Sequence, residues 1–124
     1  MTVIRHADAR CTSTPNATMT TLASPTQGGT DQALWRVEMT PGAVGPLHAM
    51  DGEQVWTVLD GAAHVDVGDA TEELSAGDTL VLPAGVLRRI HADPDAGMTA
   101  VVTGRGGSVA SGPDRDPVVP AWIS

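Results

Sequence analysis

From residue 33 the chain alternates: Ala33, Trp35, Val37 and Met39 share one parity, while Leu34, Arg36 and Glu38 share the other. Successive side chains of an extended backbone point to opposite faces, so this run predicts a strand half buried against a core. The punctuation TPGAVGP follows, and then five more extended runs: EQVWTVLDG, AAHVDVGD, DTLVLPAG, LRRIHADPDAG and MTAVVTG. Turn residues recur every eight to twelve positions, the spacing of an all-β sandwich or barrel. No segment carries a 3.6-residue apolar period long enough for a helix.

The flanks are patterned differently. Residues 1–32 read as an N-terminal arm, polar and threonine-rich up to about Thr18, that either pairs along a sheet edge or stays unstructured. Residues 33–103 form the predicted core. Residues 104–124 form a tail whose last stretch, SGPDRDPVVPAWIS, has three prolines and an apolar end that docks Trp122 and Ile123 on the domain or on a second subunit. A chain of 124 residues suffices for one domain, and 14 glycines with nine prolines suit short strands and turns. With no Phe and no Tyr, large-ring burial falls to Trp35, Trp56 and Trp122, and no tyrosine is present to act as an acid. A net charge of −8 with only seven basic residues argues against nucleic acid and anionic membranes as partners. Cys11 is the sole cysteine, so an internal disulfide is excluded. MTVIRHADAR lacks the apolar run of a signal peptide, and the expected localisation is cytoplasmic.

Two spaced patterns carry the candidate chemistry. Gly42, His48, Met50, Gln54 and Gly61 occupy the framework G-x5-H-x-H-x3-E-x6-G, and Gly77, Pro83, Gly85, Arg88 and Ala92 occupy G-x5-P-x-G-x2-H-x3-N. On these residues the chain resembles the cupin family over roughly residues 33–103, with a 15-residue segment between the motifs. The resemblance implies an antiparallel jelly-roll β-barrel and a homodimer. It specifies fold more sharply than function.

Positions 48 and 50 project together from one strand, and 54 and 88 come from strands that can face them. Three imidazoles and a carboxylate there would hold a divalent metal. Here the four read His48, Met50, Gln54 and Arg88, a set with one strong ligand and a permanent cation. Arginine 4 Å from a divalent ion at an effective dielectric of about 20 costs roughly 8 kcal/mol. The expectation is therefore a barrel without a metal cofactor. A divalent metal stays open only if Glu53, through a one-residue register change, or His91, through a bulge, completes the set.

The expected function is binding of a small, partly apolar organic ligand, with a metal-independent isomerase, cyclase or lyase step. In that scheme His48 moves a proton, Arg88 stabilises an oxyanion and Gln54 orients the substrate oxygen, while Met50, Trp56 and Glu53 contact the ligand. Two other readings stand beside it: a non-catalytic binding or sensing barrel, and a metal-dependent dioxygenase or isomerase. Arg88 is either a clamp for a ligand carboxylate, enolate or phenolate, or the partner of Glu53 or Asp51 in an internal ion pair. His48 is otherwise a hydrogen-bonded core histidine. His64 and Asp66 lie opposite in parity to Val65 and Val67, as a solvated face or a second acid/base pair. GRGGS at 104–108 reads as a turn.

Overall fold

The alternation predicted over 33–39 is realised without exception: Ala33, Trp35, Val37 and Met39 are buried and their neighbours exposed. The computed structural model describes residues 1–124. In chain order its strands are β1 (Arg10–Ser13), β2 (Thr18–Ala23), β3 (Gln32–Met39), β4 (Ala49–Met50), β5 (Gln54–Val67), β6 (Ala70–Ser75), β7 (Thr79–Leu82), β8 (Arg88–Ala92), β9 (Met98–Arg105), β10 (Ala110–Gly112) and β11 (Arg115–Val118). Short 3-10 turns occupy His6–Asp8 and Ala121–Ile123.

Strands β1 to β3, β9, β5 and β6 follow one another across the main sheet, with β7 and β8 also paired to β5; β11, β10 and β4 form a smaller sheet. All strand pairings are antiparallel, as a jelly-roll barrel requires. β5 organises the whole. The sequence divides this stretch into two strands at Gly61, but the backbone runs on as one 14-residue strand. Its first half pairs with β7 and β9, its second with β6 and β8. The register on β9 slips between Val58 and Asp60, and Gly61 takes φ +73. A side chain there would run into the carbonyl oxygen of Gly97, so the glycine marks a bend within a strand.

The segment 1–32 contributes more to the core than its polar composition suggests. β2 pairs with β3, and Met19 and Thr21 are 4% and 0% exposed. At the other end Ile123 is buried, and the Thr21 hydroxyl donates to the Trp122 carbonyl at 2.8 Å. The tail thus closes over β2 and β3 of its own domain. No helix is long and apolar enough to cross a membrane.

Candidate functional site

The two motifs are laced together by backbone hydrogen bonds. Residues 42–50 run antiparallel to β8: Gly45 N–H donates to the Ile90 carbonyl at 2.8 Å, His48 N–H to Arg88 at 3.1 Å, and Arg88 N–H back to His48 at 2.8 Å. Beyond them Gly85 N–H donates to the Met50 carbonyl at 2.8 Å. His48 and Arg88 are therefore directly opposed, and a two-way bridge fixes their side chains on the same face. Gln54 and Trp56 enter from β5, two apart and both buried. Gly104, opposite Gln54 on β9, leaves room for that side chain; a Cβ there would stand 3.2 Å from Gln54 Cγ.

These residues line a cavity of about 320 Å³. Met50, Trp56, Trp35, Met19, Met39 and Trp122 supply apolar walls, and Asn16, His48, Gln54, Arg88 and Arg115 supply polar groups. Two arginines line the cavity and no carboxylate does, although the chain carries a net charge of −8.

Arg88 is 1% exposed. Its Nε donates to His48 Nε2 at 3.2 Å and its Nη2 to Gln54 Oε1 at 2.7 Å, while its buried Nη1 has no partner. Gln54 Oε1 also accepts from the Trp56 indole at 3.2 Å. With the oxygen engaged twice, the Gln54 amide nitrogen is the end left for a ligand. His48 Nδ1 donates to the Pro46 carbonyl at 2.9 Å, so Nε2 is the acceptor of Arg88 and the imidazole is neutral. Burial first, and the Arg88 charge second, hold the His48 pKa down to about 4. Burial likewise lowers Arg88 to about 10, which leaves it charged at neutral pH.

Such a set does not fit a divalent metal. The one strong lone pair, His48 Nε2, already faces an arginine N–H, and the guanidinium itself would repel the ion. Neither completing ligand is in place. Glu53 is exposed and absent from the cavity wall, because β5 pairs with β7 without a shift from Gln54 to Thr57 and the inward parity belongs to Gln54 and Trp56. The Glu53 side chain therefore lies outside this cavity, away from the ligand contact expected of it. His91 lies on the outer face, with Nε2 at 2.8 Å from Asp66 Oδ2; the bulge that would have turned it inward is not there, since β5 and β8 pair without a register shift. Nor does Arg88 form an ion pair with Glu53 or Asp51. Asp51 lies 3.4 Å from Arg105 and accepts from Val109 N–H at 2.7 Å.

Sequence reasoning reached His48, Met50, Gln54, Trp56 and Arg88, which the structure gathers on one cavity, but missed Asn16, Arg115 and Trp35 as lining. The parity of Trp35 was a usable signal. Asn16 sits in the TPNA turn joining β1 and β2, and Arg115 in a proline-flanked hairpin; no local pattern marks either as part of a site.

The Cupin domain family model matches residues 35–104. No curated protein matches. Among solved structures, an RmlC-like cupin from Shewanella frigidimarina is similar at TM-score 0.70 and 20% identity, over 84% of this chain and 90% of that one. The polyketide cyclase RemF from Streptomyces resistomycificus is similar at 0.71 and 22%, over 85% and 79%. Oxalate decarboxylase from Bacillus subtilis is similar at 0.72 and 16%, over 82% of this chain but only 29% of that one, so this chain spans less than a third of the decarboxylase. At these identities the likeness is one of fold. The family match covers more than half of the chain and contains both laced motifs, and the chain belongs to the cupin family.

Proposed function

We propose that the barrel binds a small, partly apolar organic anion, with Arg88 as its anchor. The observation that carries this reading is the Arg88 guanidinium: buried, without any acidic partner, and with Nη1 unsatisfied. A buried cation is ordinarily paired, and one held only by neutral groups is a standing site for an anionic oxygen. Gln54 Nε2 supplies a second donor, and the Trp and Met walls suit a ring or a branched apolar body. A volume near 320 Å³ lies at the small end of ligand pockets.

One observation favours a chemical step beyond binding. The Arg88 Nε contact with His48 is 3.2 Å, longer than the 2.7 Å contact with Gln54. A ligand oxygen that draws the guanidinium toward itself frees His48 Nε2, turning it from an acceptor of Arg88 into a base, with the anion raising its pKa from about 4. His48 Nε2 then takes a proton from the carbon beside a carbonyl, and Arg88 holds the resulting enolate oxygen while Gln54 orients it. Return of that proton from His48 to another carbon completes an isomerisation, the member of the isomerase, cyclase or lyase group that needs no leaving group. RemF, named a polyketide cyclase, has a barrel of this fold.

The test is calorimetric titration with a panel of aryl carboxylates and the matching uncharged alcohols, 2-naphthoate against 2-naphthalenemethanol among them. Carboxylates that bind, with alcohols at least thirty-fold weaker and with the preference abolished in Arg88→Met, are the expected result. Equal affinity for acid and alcohol, or a preference that survives Arg88→Met, overturns the proposal.

A further inference from the structure

On the outer surface of the wall formed by β5, β6 and β8, two histidines and an aspartate converge away from the cavity. His64 is directly paired with His91 across β5 and β8, and Asp66 lies two residues along β5. The residues on either side of His64, Ala63 and Val65, are 6% and 2% exposed, so the imidazoles take the solvent side. The two rings stack with centroids 4.1 Å apart and 15° between planes. His91 Nε2 lies 2.8 Å from Asp66 Oδ2, and the Thr71 hydroxyl donates to Asp66 Oδ1 at 2.7 Å. Those two contacts, Thr71 first, hold the Asp66 carboxyl below its ordinary range, so it is ionised.

We propose that His64, Asp66 and His91 form a surface site for a divalent transition-metal ion of the zinc, copper and nickel group. One donor atom from each already lies within 4.8 Å of the others. Metal–ligand distances near 2.0–2.2 Å require donors roughly 3.3 Å apart, so the His91–Asp66 pair opens slightly from 2.8 Å while the His64 donor closes in, adjustments that side-chain rotation supplies without moving the paired backbone. Two imidazoles and a carboxylate select these ions over calcium or magnesium. Thr71 orients the carboxylate from behind, the arrangement by which outer contacts aim a ligand. Glu73, paired with His64 from β6 and exposed, adds a negative charge to the same face. The facing charges are Asp66 and Glu73 against Arg89, which lies opposite Asp66 and forms no ion pair; the acids outnumber the cation. The barrel set offers the reverse, a cation among neutral groups.

Zinc titration of the chelator-treated full chain, followed by calorimetry, with the visible spectrum of added cobalt reporting coordination, tests the assignment. One equivalent should bind in the micromolar range. His64→Ala and His91→Ala should each weaken binding at least thirty-fold, and Asp66→Asn at least ten-fold, since the neutral amide offers the ion a weaker oxygen than the carboxylate ligand it replaces. These side chains are at least partly exposed, so the melting temperature of each variant in the absence of metal should match the wild type and separate lost binding from lost fold. His48→Gln should bind zinc as the wild type does. Absence of zinc binding at about 1 mM, or binding that survives His64→Ala combined with His91→Ala, overturns the proposal.

Discussion

Replacing Arg88 by methionine removes a cation that the fold holds without a counter-charge, and its cost is therefore expected to fall on ligand binding rather than on stability. The variant loses the hydrogen bonds to His48 Nε2 and Gln54 Oε1. Bonds from a charged donor contribute about 1.5–3 kcal/mol each, or roughly 3–6 kcal/mol together. Against that stands the desolvation of a guanidinium that is 1% exposed, several kcal/mol that the methionine does not incur. No carboxylate is left stranded, and Gln54 Oε1 keeps the Trp56 indole. The two terms nearly cancel. A change within about 2 kcal/mol is expected, or a melting-temperature shift under about 8 °C for a chain of this size.

Affinity for an anionic ligand should behave differently. Loss of a buried charge-assisted contact costs about 2–5 kcal/mol, roughly thirty- to several-thousand-fold. Arg88→Lys should recover little of it, since a point charge does not reproduce a planar fork. An NMR titration gives a third readout: with the second-largest depressing cause removed, the His48 pKa should climb from about 4 toward its ordinary value. Melting curves, calorimetry and imidazole shifts on the same three proteins decide the matter. A melting point lowered by more than about 15 °C with unchanged affinity would refute the reasoning and make Arg88 a structural strut.

Three further outcomes follow from the same structure. His48 has a folded-state pKa near 4, below its ordinary 6.5, so the unfolded chain takes up a proton first as pH falls. Stability present above pH 6.5 should then decline by up to about 3 kcal/mol on the way to pH 4, and urea melts at several pH values should show that slope in the wild type but not in His48→Gln. Gly61 and Gly85 have φ of +73 and +78, yet a Cβ on Gly61 meets the Gly97 carbonyl oxygen while one on Gly85 meets nothing. Gly85→Ala should cost about 1 kcal/mol and Gly61→Ala at least about 2 kcal/mol more by chemical denaturation; equal costs would contradict the close approach. We also propose a homodimer through the outer face of the main sheet, where Leu34, Thr103, Val55 and Val81 lie in one cross-strand row with Leu34 and Val81 exposed. Light scattering should give a dimer for the wild type and a monomer for Leu34→Arg with Val81→Arg; a wild-type monomer rejects it.

What the sequence made legible was parity. Trp35, Met50, Gln54 and Trp56 all follow from counting by two along strands, and the motif spacing adds His48 and Arg88, because side-chain direction in an extended chain is a local property. Partnership is not local. That Arg88 meets His48 and Gln54, rather than Glu53 or Asp51, depends on the two-way bridge between residues 48 and 88, which joins segments 40 positions apart. The arm is less legible for a related reason. Met19 and Thr21 are core residues, but alternation between methionine and threonine gives little hydrophobic contrast, and the strand becomes evident only when β3 lies beside it.

Placing arginine at 88 changes the sign of the site while the strands keep their geometry. A histidine at that point would offer a lone pair to a cation; Arg88 offers N–H groups to an anion, and His48, which would have been a ligand, becomes the acceptor that aims the guanidinium. The depressed pKa of His48 belongs to the same arrangement, since a protonated imidazole could not accept from Arg88 and would add a second buried positive charge beside it. An anion entering this cavity therefore has two effects at once: it satisfies the unpartnered Nη1 and it offsets the Arg88 charge which, after burial, holds the His48 pKa down. Binding and the basicity of His48 are coupled through one side chain, and a ligand that raised the His48 pKa in the wild type but not in Arg88→Met would demonstrate that coupling directly.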